Sequence, residues 1–497
     1  MNFKIVHKNL FLNIYICKKF HILYKKLLGQ TLIYGIGAIA PRIILFILNP
    51  LLIYKIPNEG FAIFTQLYAW ISFVNIILSF GFETAYFRFS AEEGNEKKTF
   101  NTSFWFLFST SSVFLALCYL FNQPIADHLG YHDNPEYIKW FASIAFFDNL
   151  LVIPFAWLRF HNKPIKYSVV RIVQAIFQAV FTAALFFWIP ENLSQKFGLN
   201  QNVDFPFVSN LAGSALGLLL LLPIILKVRF QFVTSLFTRM IKYSFPLMLA
   251  GFAFMVNENF DKSIQRNHIS GDEAGAYGGC YKLAVLMTLF VTAYRMGIEP
   301  FFFKQMDKGD AKKTYAKVAE YFAFFASAVA LGIIANIAWL KDVFIPNKSY
   351  WIAIDIIPII IVANLCFGIY YNFSTWYKVT DRTSVGTIIS WIGAGINIGL
   401  NYLALSYYHS MMGSAWATFG AYVIMMIISY VLGQKYYPIP YRMKKMSFFL
   451  ILLSVFSFII VKYLNYNIWM SNSLFLVFIA ILLYSEKDML LSRIRKN

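Results

Sequence analysis

The 497-residue sequence is short of charge. Asp, Glu, Lys and Arg make up 13% of it, about half the roughly 25% usual in soluble domains. Hydrophobic residues make up 59%, and the mean hydropathy is +0.58. A soluble globular chain is excluded, and a polytopic membrane protein is indicated. Cysteine is scarce too. Cys17, Cys118, Cys280 and Cys366 show no CxxC spacing and fall mostly inside apolar runs, so neither a disulfide framework nor a zinc site is read. No nucleophile elbow, phosphate-binding glycine loop or pair of catalytic carboxylates occurs. No enzyme, cofactor or metal is therefore expected. Long polar connections are missing as well: none exceeds about 17 residues, which leaves no room for a sizeable soluble domain.

What is present is a series of apolar runs. About fourteen are long enough to span a bilayer at ~20 residues each, from 30–54 at one end of the chain to 468–485 at the other. The net charge of +19 would suit nucleic acid in a soluble chain, but the positions of the basic residues exclude that partner. With the N-terminus inside, about 31 of the 43 Lys and Arg fall in cytoplasmic segments and about 8 in outer ones, the asymmetry that sets topology. An even number of helices then places both termini in the cytoplasm. Residues 1–27 carry a seven-residue apolar stretch and "CKKFHILYKK" without a small-residue cleavage site. They read as a basic segment on the inner leaflet rather than a cleaved signal peptide.

An internal repeat organises the chain. "SFGFETAYFRFS" (79–90) and "RMGIEPFFFKQ" (295–305) align Gly81, Glu83, Phe87 and Arg88 with Gly297, Glu299, Phe303 and Lys304. Each aligned segment ends the second helix of a presumptive bundle, and each bundle's first helix holds an interior proline, Pro41 or Pro246. The expected fold is all-α, with two pseudo-symmetric six-helix lobes and an added C-terminal helix pair. Substrate is expected between the halves. The boundaries read are 1–27 for the basic segment, 28–240 for the N-lobe, 241–438 for the C-lobe and 439–497 for the last two helices and tail.

The stretch "GQTLIYGIGAIAPRIILFILNPLLIYKIPNEGFAIFTQLYAWISFVNIILSFGFETAYFRF" and the later "YSFPLMLAGFAFMVNENFDKSI" and "GAYGGCYKLAVLMTLFVTAYRMGIEPFFF" resemble bacterial polysaccharide-biosynthesis membrane proteins. These are the Wzx-type flippases of the multidrug/oligosaccharidyl-lipid/polysaccharide exporter superfamily, and the likeness runs over about residues 25–435. The resemblance implies a MATE-like, V-shaped, alternating-access transporter in the bacterial cytoplasmic membrane. Its cargo would be a polyprenyl-pyrophosphate-linked oligosaccharide for surface polysaccharide such as the O-antigen of lipopolysaccharide. It also implies contact with membrane lipids and with polymerase and ligase machinery as partners.

Ionisable residues within spanning segments are costly and usually face a cavity or a partner. Arg42 lies about eleven residues into the first run, roughly 16 Å deep at 1.5 Å per residue. It is the leading candidate to bind pyrophosphate by charge-assisted, bidentate bonds, with Asn49 on the same face; the alternative is a structural pair with Glu83 or Asp148. Lys282 and Arg295 are further cavity candidates, although their 13-residue spacing keeps them from facing one point on a regular helix. Arg295 also has Glu299 at i+4. Glu83, Arg88, Glu299 and Lys304 are read as an inner gate of cross-lobe salt bridges, with local pairing as the competing reading. Asp148, Asn257, Glu258 and Asp261 are candidates for cation coupling, with Lys262 as a neutralising neighbour. Asn397 and Asn401, and Gln66, Asn75 and Asn101, form polar ladders suited to a sugar path or to helix–helix hydrogen bonds. Arg171 reads as snorkelling. His128 and His132 with Asp127 and Asp133 are not read as a metal site.

The rival readings are a peptidoglycan lipid-precursor flippase, a cation or drug antiporter of the same superfamily, a membrane polymerase or ligase, and a scaffold. A drug antiporter should place acids where the first helix has Arg42. A polymerase or ligase needs a reactive outer domain, and a scaffold has no use for buried charge in both lobes.

Overall fold

A computed structural model describes residues 33–485 apart from 93, 307 and 308; the basic segment 1–27 lies outside the described residues. Among those described, fourteen helices are long and apolar enough to cross a membrane, and no strand occurs. The first lobe comprises α1 (Ile33–Lys55), α2 (Asn58–Ser79), α3 (Phe82–Ser90), α4 (Glu96–Leu120), α5 (Asn122–Leu129), α6 (Glu136–Phe160), α7 (Pro164–Phe187), α8 (Glu191–Lys196) and α9 (Asp204–Ile225). The second comprises α10 (Thr234–Ile264), α11 (Gly271–Gln305), α12 (Ala311–Ala335), α13 (Ile337–Phe344), α14 (Ile356–Phe373), α15 (Thr375–Val379), α16 (Thr383–Ser406) and α17 (Met411–Tyr436). The appended pair, α18 (Met443–Lys462) and α19 (Ile468–Ser485), packs on α12.

Lipid offers no hydrogen bonds to a backbone, so long apolar runs close their bonds internally as helices. Local signals set several starts. Pro164 opens α7, where its missing N–H costs nothing, and the Ser410 side chain accepts from the Gly413 amide at 3.3 Å to begin α17. In the first lobe α6 is central, packing against α4, α9 and α2; in the second α14 is central, against α17, α11 and α12. Among the fourteen spans, the one containing α14 is the most enclosed.

The lobes meet where α2 lies between α10 and α11. Small residues allow this approach: a Cβ at Gly275 would sit 1.7 Å from the Asn58 carbonyl oxygen. Tyr350 donates to the Ile56 carbonyl at 2.7 Å beside this seam. On the face rich in basic loops the repeat is not symmetric. The second span of the first lobe breaks at Phe80–Gly81, both with positive φ (51° and 68°), and a Gly81 Cβ would lie 3.0 Å from the Ser244 carbonyl of α10. Its counterpart Gly297 lies within unbroken α11 with no atom near its Cβ position.

Candidate functional site

Between α1 of the first lobe and α10, α11 and α14 of the second lies a cavity of about 540 Å³, within the range of about 300–1,000 Å³ typical of ligand sites. Arg42 enters it from α1, and Arg295 enters from α11 together with Glu299; Glu258 enters from α10. Arg42 is nine residues into α1, about 14 Å from its start at 1.5 Å per residue. Among the described residues neither Arg42 nor Arg295 is in an ion pair. Two guanidiniums from opposite lobes therefore look into one space outside any ion pair, with the Glu258 and Glu299 carboxylates on the same walls. Asn364 of α14 also lines it; this residue is 2% exposed, and its side-chain nitrogen has no hydrogen-bond partner.

Arg295 is positioned by an aromatic ring. Its guanidinium lies 4.3 Å from the centre of Tyr371, and the Lys378 ammonium is 3.7 Å from the same ring. The negative face of the ring attracts both cations, holding two like charges at one edge of the cavity. Lys378 in turn pairs with Glu299 at 3.1 Å.

The other candidates fall elsewhere. Asn49 is buried and donates to the Phe46 carbonyl at 3.1 Å, so its amide serves its own helix and does not line the cavity. Lys282 points away from Arg295, with its ammonium 5.6 Å from the Phe64 ring. The two side chains diverge around α11, as their spacing requires. In this structure Glu83 and Glu299 take the competing local pairing and neither pairs across the lobes. Glu83 binds Arg159 and Glu299 binds Lys378, each within its own lobe, because the fourth spanning segment of each lobe delivers a cation to the end of the second. Arg88 lies over the Tyr243 ring of α10 at 4.4 Å. The Lys304 side chain lies outside the described residues. Among the described residues, Glu92 at the end of the first lobe's second span pairs with Arg239 of α10 on the basic face, at 2.5 Å; the hydrogen bond from Arg239 holds the Glu92 carboxyl below its ordinary pKa.

The acids proposed for coupling occupy two places. Asp148 accepts from Ser214 at 2.6 Å inside the first lobe. In the second lobe Asp261 accepts from Tyr277 at 2.6 Å and pairs with Lys262 at 3.1 Å. Lys262 thus neutralises Asp261 rather than Glu258. Glu258 accepts from Tyr422 at 2.5 Å and has no ion pair among the described residues. Asn257 donates to the Ala253 and Ser390 carbonyls, and the Asn397–Asn401 ladder ties α16 to α10 through the Asn257 carbonyl. Asn101 holds the 229–231 turn. His132 pairs with Asp127 at 3.0 Å on the surface.

On the face opposite the basic loops, Gln66 of α2 donates to the Ser263 carbonyl at 2.9 Å and to Asn267 at 3.0 Å, and accepts from Tyr131 at 2.5 Å. Arg266 donates to the Leu129 and Gly130 carbonyls across the same seam. The lobes are joined there. Arg159, Lys378, Tyr371 and Asn364 escaped the sequence reading. A signal for two of them exists: "AWLRF" (156–160) and "TWYKV" (375–379) repeat at the ends of α6 and α15.

Comparison with known proteins agrees with this architecture. The family model described as polysaccharide biosynthesis protein matches residues 27–306, more than half the chain. "Lsg locus putative protein 1" of Haemophilus influenzae is 22% identical over 408 residues, covering 78% of this chain and 95% of that protein. Among solved structures, the lipid II flippase MurJ in an inward closed conformation aligns with a TM-score of 0.74 at 18% identity, over 92% of this chain and 100% of that one. An inward-facing MATE-family multidrug transporter of the MOP superfamily aligns with a TM-score of 0.65 at 11% identity, over 84% and 95%. The chain belongs to the polysaccharide biosynthesis protein family and has the fold of the MOP-superfamily transporters.

Proposed function

We propose that this protein is a flippase that carries a polyprenyl-diphosphate-linked oligosaccharide across the bacterial cytoplasmic membrane by alternating access. Both termini and the basic face lie in the cytoplasm. The observation that carries this reading is the pair Arg42 and Arg295, which line one cavity from opposite lobes without an ion pair. Two cations facing one cavity outside any ion pair suit a diphosphate, which each guanidinium can bind through two parallel hydrogen bonds. The unpartnered Asn364 nitrogen supplies a further donor.

The cavity replaces water around the head group, whose hydroxyls each cost several kcal/mol in hydrocarbon, while the prenyl chain stays in lipid. The Gln66, Tyr131 and Arg266 contacts close the outer side. Rocking of the lobes breaks them and closes the cytoplasmic side instead. A cell interior that is negative favours outward movement of an anion by about 2.3 kcal/mol per charge per 100 mV. Glu258, in the cavity and outside the ion pairs of the described residues, would exchange a proton or metal cation with the substrate cycle. The likeness to MurJ supports a second reading in which the head group is a peptidoglycan precursor, since that cargo shares the prenyl-diphosphate chemistry.

The test is transport by the purified protein in proteoliposomes, with a prenyl-diphosphate oligosaccharide, a peptide-bearing lipid precursor and a cationic dye offered separately. Movement of the oligosaccharide alone is expected. Movement of the peptide-bearing lipid alone would select the second reading, and movement of the dye alone would contradict both.

A further inference from the structure

A second, smaller chamber of about 170 Å³ adjoins the central cavity and shares Phe254, Arg295 and Phe367 with it. It extends into the second lobe between α10, α14, α15 and α16. Tyr370, Tyr371 and Tyr377 form aromatic walls, and the Tyr370 and Tyr377 hydroxyls are hydrogen-bonded at 3.2 Å. Arg295 and Lys378, both held on the Tyr371 ring, place cationic donors at one side. Asn257, 3% exposed, places its side-chain oxygen there with no hydrogen-bond partner. Its amide nitrogen is committed to the Ala253 and Ser390 carbonyls, which fixes the oxygen's direction. Gly393 leaves room for Met425, which lines the chamber: a Cβ at Gly393 would lie 2.3 Å from Met425 Sδ and 3.1 Å from that oxygen, and would push the methionine toward the chamber.

A buried acceptor without a donor is costly, so a ligand that satisfies it binds more tightly than one that does not. An acyl or prenyl chain has no donor to offer. A phosphate takes the cationic donors and leaves the Asn257 oxygen unmet. A hexose meets all three features: hydroxyls that donate to Asn257, hydroxyl oxygens that accept from Lys378 and tyrosine, and a C–H face that packs on aromatic rings. We propose that this chamber is a subsite for one hexose ring of the transported head group. The proposal rests on the flippase reading, because a diphosphate held between Arg42 and Arg295 puts its attached ring next to the opening at Arg295.

Binding of two probes to the full-length protein in detergent tests it: farnesyl diphosphate, and the same diphosphate bearing a single hexose. The wild type is expected to bind the hexosyl probe about tenfold more tightly, the worth of roughly one or two satisfied hydrogen bonds. Asn257→Leu, which removes the acceptor, and Gly393→Ala, which narrows the chamber, are each expected to bring the ratio of affinities close to one. Equal wild-type affinity for both probes would overturn the subsite while leaving diphosphate recognition standing. Retention of the tenfold ratio in both variants would also overturn it. Failure of the wild type to bind either probe would overturn the subsite together with the flippase reading.

Discussion

Lys378 Nζ lies 3.1 Å from Glu299 Oε1 at the end of the second span of the second lobe, and Arg159 binds Glu83 in the corresponding place in the first. The two acids are 216 residues apart and their cations 219, so a repeat preserves the pairing with three extra residues between acid and base. These links tie the second and fourth spans of each lobe into one rigid body.

Charge reversal distinguishes this arrangement from a gate between lobes. Glu83→Arg is expected to lower the melting temperature, and Arg159→Glu in the same protein to restore it. The coupling should be about 0.2–1 kcal/mol, the range for partly exposed pairs. Rescue by a reversal in the second lobe, and not by Arg159→Glu, would return Glu83 to a cross-lobe role.

The asymmetry of the two aligned glycines gives opposite expectations for one substitution. Gly81→Ala forces a side chain into a left-handed conformation against the α10 backbone and should destabilise by about 1–2 kcal/mol. Gly297→Ala adds a Cβ to a regular helix in open space and should be neutral or stabilising by up to about 1 kcal/mol. Thermal unfolding in detergent reads both. Equal loss at the two positions would mean that α11 also breaks at its glycine.

The Glu92–Arg239 link predicts a pH dependence on the basic face. Arg239 holds the Glu92 carboxyl below its ordinary value of 4.5, so the link contributes fully above that value. It is lost only as pH falls through the lowered one. Arg239→Gln is therefore expected to loosen the basic face at pH 7, as read by fluorescence of probes on the two lobes, whereas wild type holds down to about pH 5. Loosening of the wild type between pH 7 and 5 would contradict the assignment.

The seam on the opposite face should depend on Gln66, which holds two groups of the second lobe and one of the first. Gln66→Leu leaves the Ser263, Asn267 and Tyr131 groups unmatched, a loss of about 1–3 kcal/mol for a buried partner left unsatisfied. Spin labels on Asp133→Cys and Ser270→Cys are expected to show a larger population of long distances in this variant. An unchanged distribution would place closure of this face elsewhere.

The fold was legible because lipid permits few solutions: run length, basic-loop asymmetry and the repeat led to fourteen helices in two lobes with an added pair. Arg42 and Arg295 were legible as cations within apolar runs, and the structure brings them to one cavity. Side-chain pairing was harder to read. Glu83 and Glu299 announce themselves at helix ends, but their partners lie on helices 76 and 79 residues away, and only the "AWLRF"/"TWYKV" likeness hints at them. Lys262 is adjacent to Asp261 and i+4 from Glu258, and spacing alone does not say which acid it meets; the rotamer decides for Asp261. Asn257 and Asn364 look like many helix–helix asparagines in sequence. What distinguishes them is an unmatched atom on a residue that lines a cavity, visible only once their neighbours are placed.

The most direct test of the account is transport of a prenyl-diphosphate oligosaccharide in proteoliposomes by wild type, Arg42→Gln, Arg295→Gln and the double variant, each confirmed as folded and inserted. If the two guanidiniums share one diphosphate, each single substitution should slow transport by about 10–100-fold, as loss of one charged hydrogen-bonding partner of about 1.5–3 kcal/mol requires. The double variant should be little worse than the singles, because one bound group links the two sites. Transport at the wild-type rate by either single variant would contradict the account.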